Sequence, residues 1–273
     1  MHIWPSVAVT CLLLAATDGA AAAPSWRAQG NEPGWALVVD EAGLELTLAY
    51  GERHLRAASF TLDDAGGTRV YRAAADGVTI EATVTDRVCT DTMTGMPYPQ
   101  TVAVVTGSDR LAGCGGDPAT LLQGGEWTVE TIAGTPLAAG SSVTITFDAE
   151  GHVYGKASCN RFTGGYKLTG EGLAMGPLAS TMMACADGLM EQERRFLELL
   201  AEAKGFAIAA DGALSLQAAP AGRALATLPQ KPTPLVLPRL WMNILEALGV
   251  HHDRTWNCRT ENCSAATAAI LAD

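Results

Sequence analysis

The sequence predicts a mainly β fold of the α+β class: two small antiparallel β-roll or barrel domains, the second carrying one packed α-helix. Three observations predict it. Short segments alternate apolar and polar residues between Gly/Asp clusters, the period of strands with one buried face. Within the second domain one stretch, 188–204, changes to strong helical spacing. The length of 273 residues suits two domains of ordinary size.

Composition narrows the function classes. With 48% apolar residues the chain can build cores, so disorder throughout is excluded. A net charge of −11 argues against nucleic acid and against docking on anionic lipid, because both are bound through Lys and Arg. The chain opens with an apolar run, 7–16, too short to span a bilayer, followed by small residues at Ala20–Ala23. Residues 1–22 therefore read as an export signal cut after Ala22, with no transmembrane segment left behind. Of the seven cysteines, Cys11 leaves with that leader. The others fall into three neighbourhoods: Cys89 with Cys114, Cys159 with Cys185, and Cys258 with Cys263. Other connectivities stay open, but local pairing is the first expectation. In an exported chain an even set reads as disulfides.

Residues 24–118 form the expected N-terminal β domain. Strands are predicted over 35–39, 44–50, 69–73, 78–84 and 101–106, with turns at Asp63–Gly67 and Asp76-Gly77. Pro97 and Pro99 break any ladder and stiffen the loop before residue 101. Asp86 and Asp91 flank Cys89 and would be the acid/base pair of a hydrolase; the plainer reading is that they satisfy turn amides. The opening Glu32-Pro33-x-Trp35, Cys89-x-Asp91-x-Met93 and Gly113-Cys114 together resemble an uncharacterised family of bacterial envelope proteins. Gly34 stands where that pattern has an aromatic.

The second domain is expected over 120–228. Val143–Phe147 and His152–Ala157 read as strands joined by a turn at 148–151. Asn160, Gly164 and Gly165 suit positive φ. Strands are predicted again at 166–168, 206–209, 213–217 and 223–228. The helix over 188–204 has Asp187 as N-cap, an apolar stripe of Leu189, Phe196, Leu197, Leu200 and Ala203, a Glu191–Arg195 pair, and Gly205 as stop. Cys159-Asn160-Arg161-Phe162-x-Gly164-x-Tyr166, with Thr181-Met182-Met183-Ala184-Cys185, resembles the META domain of HslJ-like heat-shock proteins. The resemblance implies a small β fold and an envelope protein associated with heat response and antibiotic tolerance. It implies no reaction.

Residues 229–273 are a Pro-rich linker and a tail, in which 237–250 reads as a short amphipathic helix. Within the tail His251, His252, Cys258 and Cys263 are zinc-type ligands, although their spacing fits no paired zinc pattern and a small disulfide loop is the plainer reading. No cofactor motif is present. Arg161, Phe162 and Tyr166 are candidates for a binding surface, since Arg beside aromatics is typical of contact hot spots; the alternative makes Phe162 and Tyr166 core residues of the turn. Met175, Met182, Met183 and Met190 are expected to fill core gaps rather than to line a groove.

The expected function is that of a non-enzymatic periplasmic or secreted protein presenting a disulfide-braced surface to an envelope protein or a small apolar ligand. Two other readings stay open. One is an inhibitor of a cell-wall hydrolase or protease; the other is a hydrolase using carboxylates such as Asp86 and Asp91.

Overall fold

In the computed structural model the described residues are 25–218 and 224–228. The expected leader and linker, the predicted helix at 237–250 and the tail cysteines and histidines lie outside them. The N-terminal half contains β1 (Trp26–Asn31), β2 (Gly34–Asp40), β3 (Gly43–Leu48), β4 (Arg53–Ala57), β5 (Thr61–Ala65), β6 (Thr68–Ala75) and β7 (Val78–Thr85). It continues through the short pair β8 (Cys89–Thr90) and β9 (Pro97–Tyr98) to β10 (Gln100–Thr106) and β11 (Asp109–Gly115). Apart from that short pair, these strands form one antiparallel sheet in the order β4-β3-β2-β1-β11-β10-β7-β6-β5.

The sheet is curled. Trp26 of β1 and Tyr71 of β6 are four strand spacings apart along the order, about 19 Å if the sheet were flat at ~4.8 Å per strand. Their rings instead stack with centroids 5.6 Å apart. The alternate, inward-facing positions of the strands, among them Leu37, Leu46, Leu55, Ile80 and Val102, fill the interior. Strands β1, β4, β5 and β11 exceed the sequence expectation. At β5, Asp63 and Asp64 are strand residues, not turn residues: the chain reverses only at Gly66 and Gly67, both with positive φ. Every residue of β5 is exposed, so no buried face wrote an apolar alternation into its sequence.

The second half places β12 (Glu126–Thr128), β13 (Thr131–Ile132), β14 (Thr135–Pro136), β15 (Val143–Phe147), β16 (His152–Ala157), β17 (Arg161–Thr169), β18 (Gly172–Met175) and β19 (Ala179–Ser180) before α1 (Asp187–Ala201). After it come β20 (Gly205–Ile208), β21 (Leu214–Gln217) and β22 (Ala224–Leu228). One sheet runs β12-β15-β16-β17-β18 with β19 against β17; the other runs β14-β13-β22-β21-β20. The backbone bond from Leu173 N to Lys204 O carries one sheet toward the next. Helix α1 lies over this core, with Phe196 edge-on to Phe162 at 5.6 Å.

Several local expectations change here. Gly164 and Gly165 lie inside β17 without positive φ; Ser158 takes φ 88° instead. Gly164 is small because a Cβ would meet Leu178 Cδ2 at 2.6 Å and Pro177 O at 2.9 Å. Ala186, not Asp187, is the N-cap, with no side-chain cap. The helix ends at Ala201, and Gly205 opens β20, because Lys204 N is already bonded to Gln217 O. Arg194, rather than Arg195, pairs with Glu191, and it reaches Glu198 as well.

The two halves share a seam. Met96, from the loop between β8 and β9, is 5% exposed and belongs to the second core together with Leu122, Trp127 and Phe206.

Candidate functional site

Cys89 and Cys114 are bonded, with Cα atoms 5.4 Å apart. Cys114 lies in β11 opposite Thr101, so the bridge fixes the start of the loop to the middle of the curled sheet. The loop then closes on Asp91. Its Oδ1 accepts hydrogen bonds from Met93 N (3.1 Å), Thr94 N (2.7 Å) and Thr94 Oγ1 (2.8 Å), and its Oδ2 accepts from Asn31 Nδ2 (3.0 Å). Burial pushes the Asp91 carboxyl up, but the bonds from Thr94, Asn31 and Met93 outweigh it and hold it below the usual carboxylate value. Asp86 is exposed and accepts instead from Arg69 (3.0 Å) and Gln100 (3.0 Å). The two aspartates thus stand in separate hydrogen-bonded clusters.

Beside the loop opens a cavity of about 550 Å³. Tyr50 and Met93, exposed by 77% and 71%, stand at its rim, with Asn31 and Glu32 between them and the disulfide in its wall. Tyr50 is held in place by its backbone and by both ends of its side chain. Ala49 and Tyr50 have φ of 50° and 56°, consecutive left-handed positions that non-glycine residues rarely occupy. The Tyr50 hydroxyl donates to Asn31 O at 2.6 Å. Its ring lies on Gly34, where a Cβ would come within 2.4 Å of the ring carbons. Tyr50, from just past the end of β3, thus covers position 34 in space. Trp35, next in sequence, turns inward across two glycines: a Cβ at Gly30 would meet its Nε1 at 2.2 Å, and one at Gly113 its Cζ2 at 2.7 Å. Its indole N–H donates to Ala112 O. Gly30 and Gly113 thus make room for the indole.

The second pair, Cys159 and Cys185, is also bonded. Here the surface expected from Arg161, Phe162 and Tyr166 is corrected. Phe162 and Tyr166 are 3% and 7% exposed and lie in the core, because β17 alternates faces and both point inward; Arg161 alone is exposed. Asn160 and Glu193, both buried, form the node of this region. Glu193 Oε2 accepts from Cys159 N (3.2 Å) and Asn160 N (2.7 Å), and Oε1 accepts from Asn160 Nδ2 (2.9 Å). Asn160 Oδ1 in turn accepts from Thr181 Oγ1 (2.8 Å) and Met183 N (2.7 Å). Sequence reasoning missed Glu193; its spacing of three from Phe196 and seven from Leu200 was the available signal.

The methionines are corrected too. Met182, Met183 and Met190 are exposed by 96%, 57% and 44%, and only Met175 packs against the core. Met183 is attached to Asn160 through its backbone N–H and carbonyl, which leaves its side chain outward. His54 lies by Glu45 and Thr47, and His152 by Asp148, on exposed faces. Among the described residues no group of three or more His, Cys, Asp or Glu is placed to hold a metal. No helix among them is long and apolar enough to cross a membrane.

The META domain family matches residues 120–232. An NMR structure of a protein from Burkholderia xenovorans is 25% identical, covering 42% of this chain and 86% of its own, with a TM-score of 0.34. A second NMR structure is 28% identical, covering 41% of this chain and 92% of its own, with a TM-score of 0.34. No curated protein matches the chain.

Proposed function

With residues 120–232 a META domain, we propose that the chain is an exported, stress-associated protein of the bacterial envelope that binds a ligand or partner without transforming it. Two disulfides suit an oxidising compartment. The leader-like opening of the sequence supports export to one. The binding surface in this reading is the cavity between Tyr50 and Met93, not the META motif, whose aromatics are core residues. The observation that carries it is Tyr50: an aromatic ring fixed in a left-handed turn, exposed at the mouth of a cavity whose wall is braced by Cys89–Cys114. Strained backbone of this kind concentrates at functional sites.

The test is capture from envelope extract by the immobilised chain, compared with Tyr50→Ala and Met93→Ala. Retention of a ligand or protein by the parent and its loss from both variants is the expected result. Equal capture by all three would move the surface elsewhere.

One observation favours a second reading, inhibition of a cell-wall hydrolase or protease. Met93 projects from a loop that Asp91 and the disulfide stiffen, the form of an inserting element. Assays of lysozyme and representative proteases with the added chain decide it, since an inhibitor slows one of them.

A further inference from the structure

The cavity beside Tyr50 has a one-sided chemistry. Among the described residues no Lys, Arg or His lines it. The Asn31 amide is oriented by Asp91: a carboxylate only accepts, so Nδ2 must face it, and Nδ2 reaches Thr92 Oγ1 as well at 3.1 Å. Asn31 Oδ1 is left as an acceptor with no partner among the described residues. The Glu32 carboxylate is exposed, likewise unpartnered, and lines the same space. Asp91 adds a second negative charge beneath them, 4% exposed. The Tyr50 hydroxyl is spent on Asn31 O, so the residue offers its ring and not its polar tip. Met93 adds a polarizable thioether.

Acceptors, carboxylates and an aromatic face, with no cation among them, complement a positively charged donor. Resting on the binding reading above, we propose that this cavity takes an organic cation: an ammonium head on an apolar stem. The head meets Glu32, Asn31 Oδ1 and the Tyr50 ring, an arrangement in which cation–π and ion-pair attraction add. The stem lies along the apolar walls at Met93 and Ala112. Such a group is carried equally by a free alkylamine and by a lysine side chain of a peptide.

The test uses the full chain labelled at methionine methyl and tyrosine ring positions, titrated and followed by NMR. The probes are hexylammonium, 1-hexanol and hexanoate, which share a stem and differ in charge, and N-acetyl-Ala-Lys-Ala-amide for the peptide source. Hexylammonium is expected to shift the Tyr50 and Met93 signals and to bind roughly 2- to 5-fold more tightly than hexanol, the size of an exposed cation–π and ion-pair contribution. Hexanoate should bind least. Glu32→Gln should erase the preference over hexanol, and Tyr50→Leu should weaken hexylammonium by a similar factor. The preference should also shrink as salt is raised, a readout needing no variant. Binding of the peptide as tight as that of hexylammonium would assign a lysine-bearing partner, and tighter hexylammonium binding a free amine.

Equal binding of hexanol and hexylammonium overturns the charge assignment while leaving an apolar ligand in the same cavity. Absence of shifts with every probe also overturns it; the broader binding reading is then judged by envelope capture, which does not depend on charge.

Discussion

Glu193, on α1, holds the backbone N–H of Asn160 at 2.7 Å and that residue's side-chain amide at 2.9 Å. Helix and turn are thereby joined by one buried carboxylate, next to the disulfide that joins Cys159 to the segment entering the helix. Removing the carboxylate leaves two buried backbone donors, at Cys159 and Asn160, without acceptors. An orphaned buried donor costs about 1–3 kcal/mol. Glu193→Ala should therefore lower unfolding stability by roughly 2–4 kcal/mol in urea titration. Arg194→Ala, one residue along and exposed in its pairs with Glu191 and Glu198, should leave the urea midpoint nearly unchanged. Equal effects would deny the node its role.

Asp91 predicts an acid limb of the stability curve. Its folded pKa lies below the ordinary value, so the folded state binds the proton less readily than the unfolded chain. The stabilisation is then complete above the unfolded value of about 3.9 and is lost as pH falls through the folded one. Urea midpoints measured from about pH 5 down to about pH 2 should fall more steeply for the parent chain than for Asp91→Asn. Parallel curves would show that the loop does not depend on the charge.

The Gly34–Tyr50 contact predicts a separation of binding from stability. Gly34→Ala should displace the Tyr50 ring, visible as changed tyrosine NMR signals, because only a side chain on an exposed turn has to move. Gly113→Ala places its methyl 2.0 Å from Gln29 O, in the β1–β11 ladder, where the backbone must give. It should cost about 1–3 kcal/mol, the range for overpacking. If Gly34→Ala proves the more destabilising in urea titration, the order of the two contacts is wrong.

The disulfides predict a reductant-sensitive fold. Each closes a segment of comparable length, with sequence separations of 25 and 26. The chain-entropy expectation is about 3.5 kcal/mol apiece. Replacing Cys159 and Cys185 together by serine should lower the urea midpoint accordingly. It should also raise hydrogen exchange at Met183 N, whose acceptor Asn160 stands beside the bridge. Unchanged exchange there would mean that Glu193 alone fixes the turn.

How much of this was legible follows from which forces are local. The hairpin from Val143–Phe147 to His152–Ala157 is written in adjacent residues: alternation on each side, and between them Asp148, whose Oδ1 accepts from Glu150 N and His152 N. The turn at Asp76-Gly77 likewise needs only residues that tolerate positive φ, and both have it. Strand β5 left no such trace, because all its residues face solvent.

By itself the sequence determined the β-rich class, the amphipathic helix that follows Asp187, the neighbouring cysteines and the likeness of its C-terminal half to the META domain. Each is carried by periodicity, turn chemistry or residues close in the chain. Only the tertiary structure decided that Phe162 and Tyr166 are core, that Glu193 belongs to the turn around Asn160, that Met96 enters the second core, and that Tyr50 covers Gly34. Those four outcomes depend on which face a strand turns inward and on which distant backbone groups must find acceptors. Both are fixed when the sheets curl and pack, and spacing along the chain does not carry them.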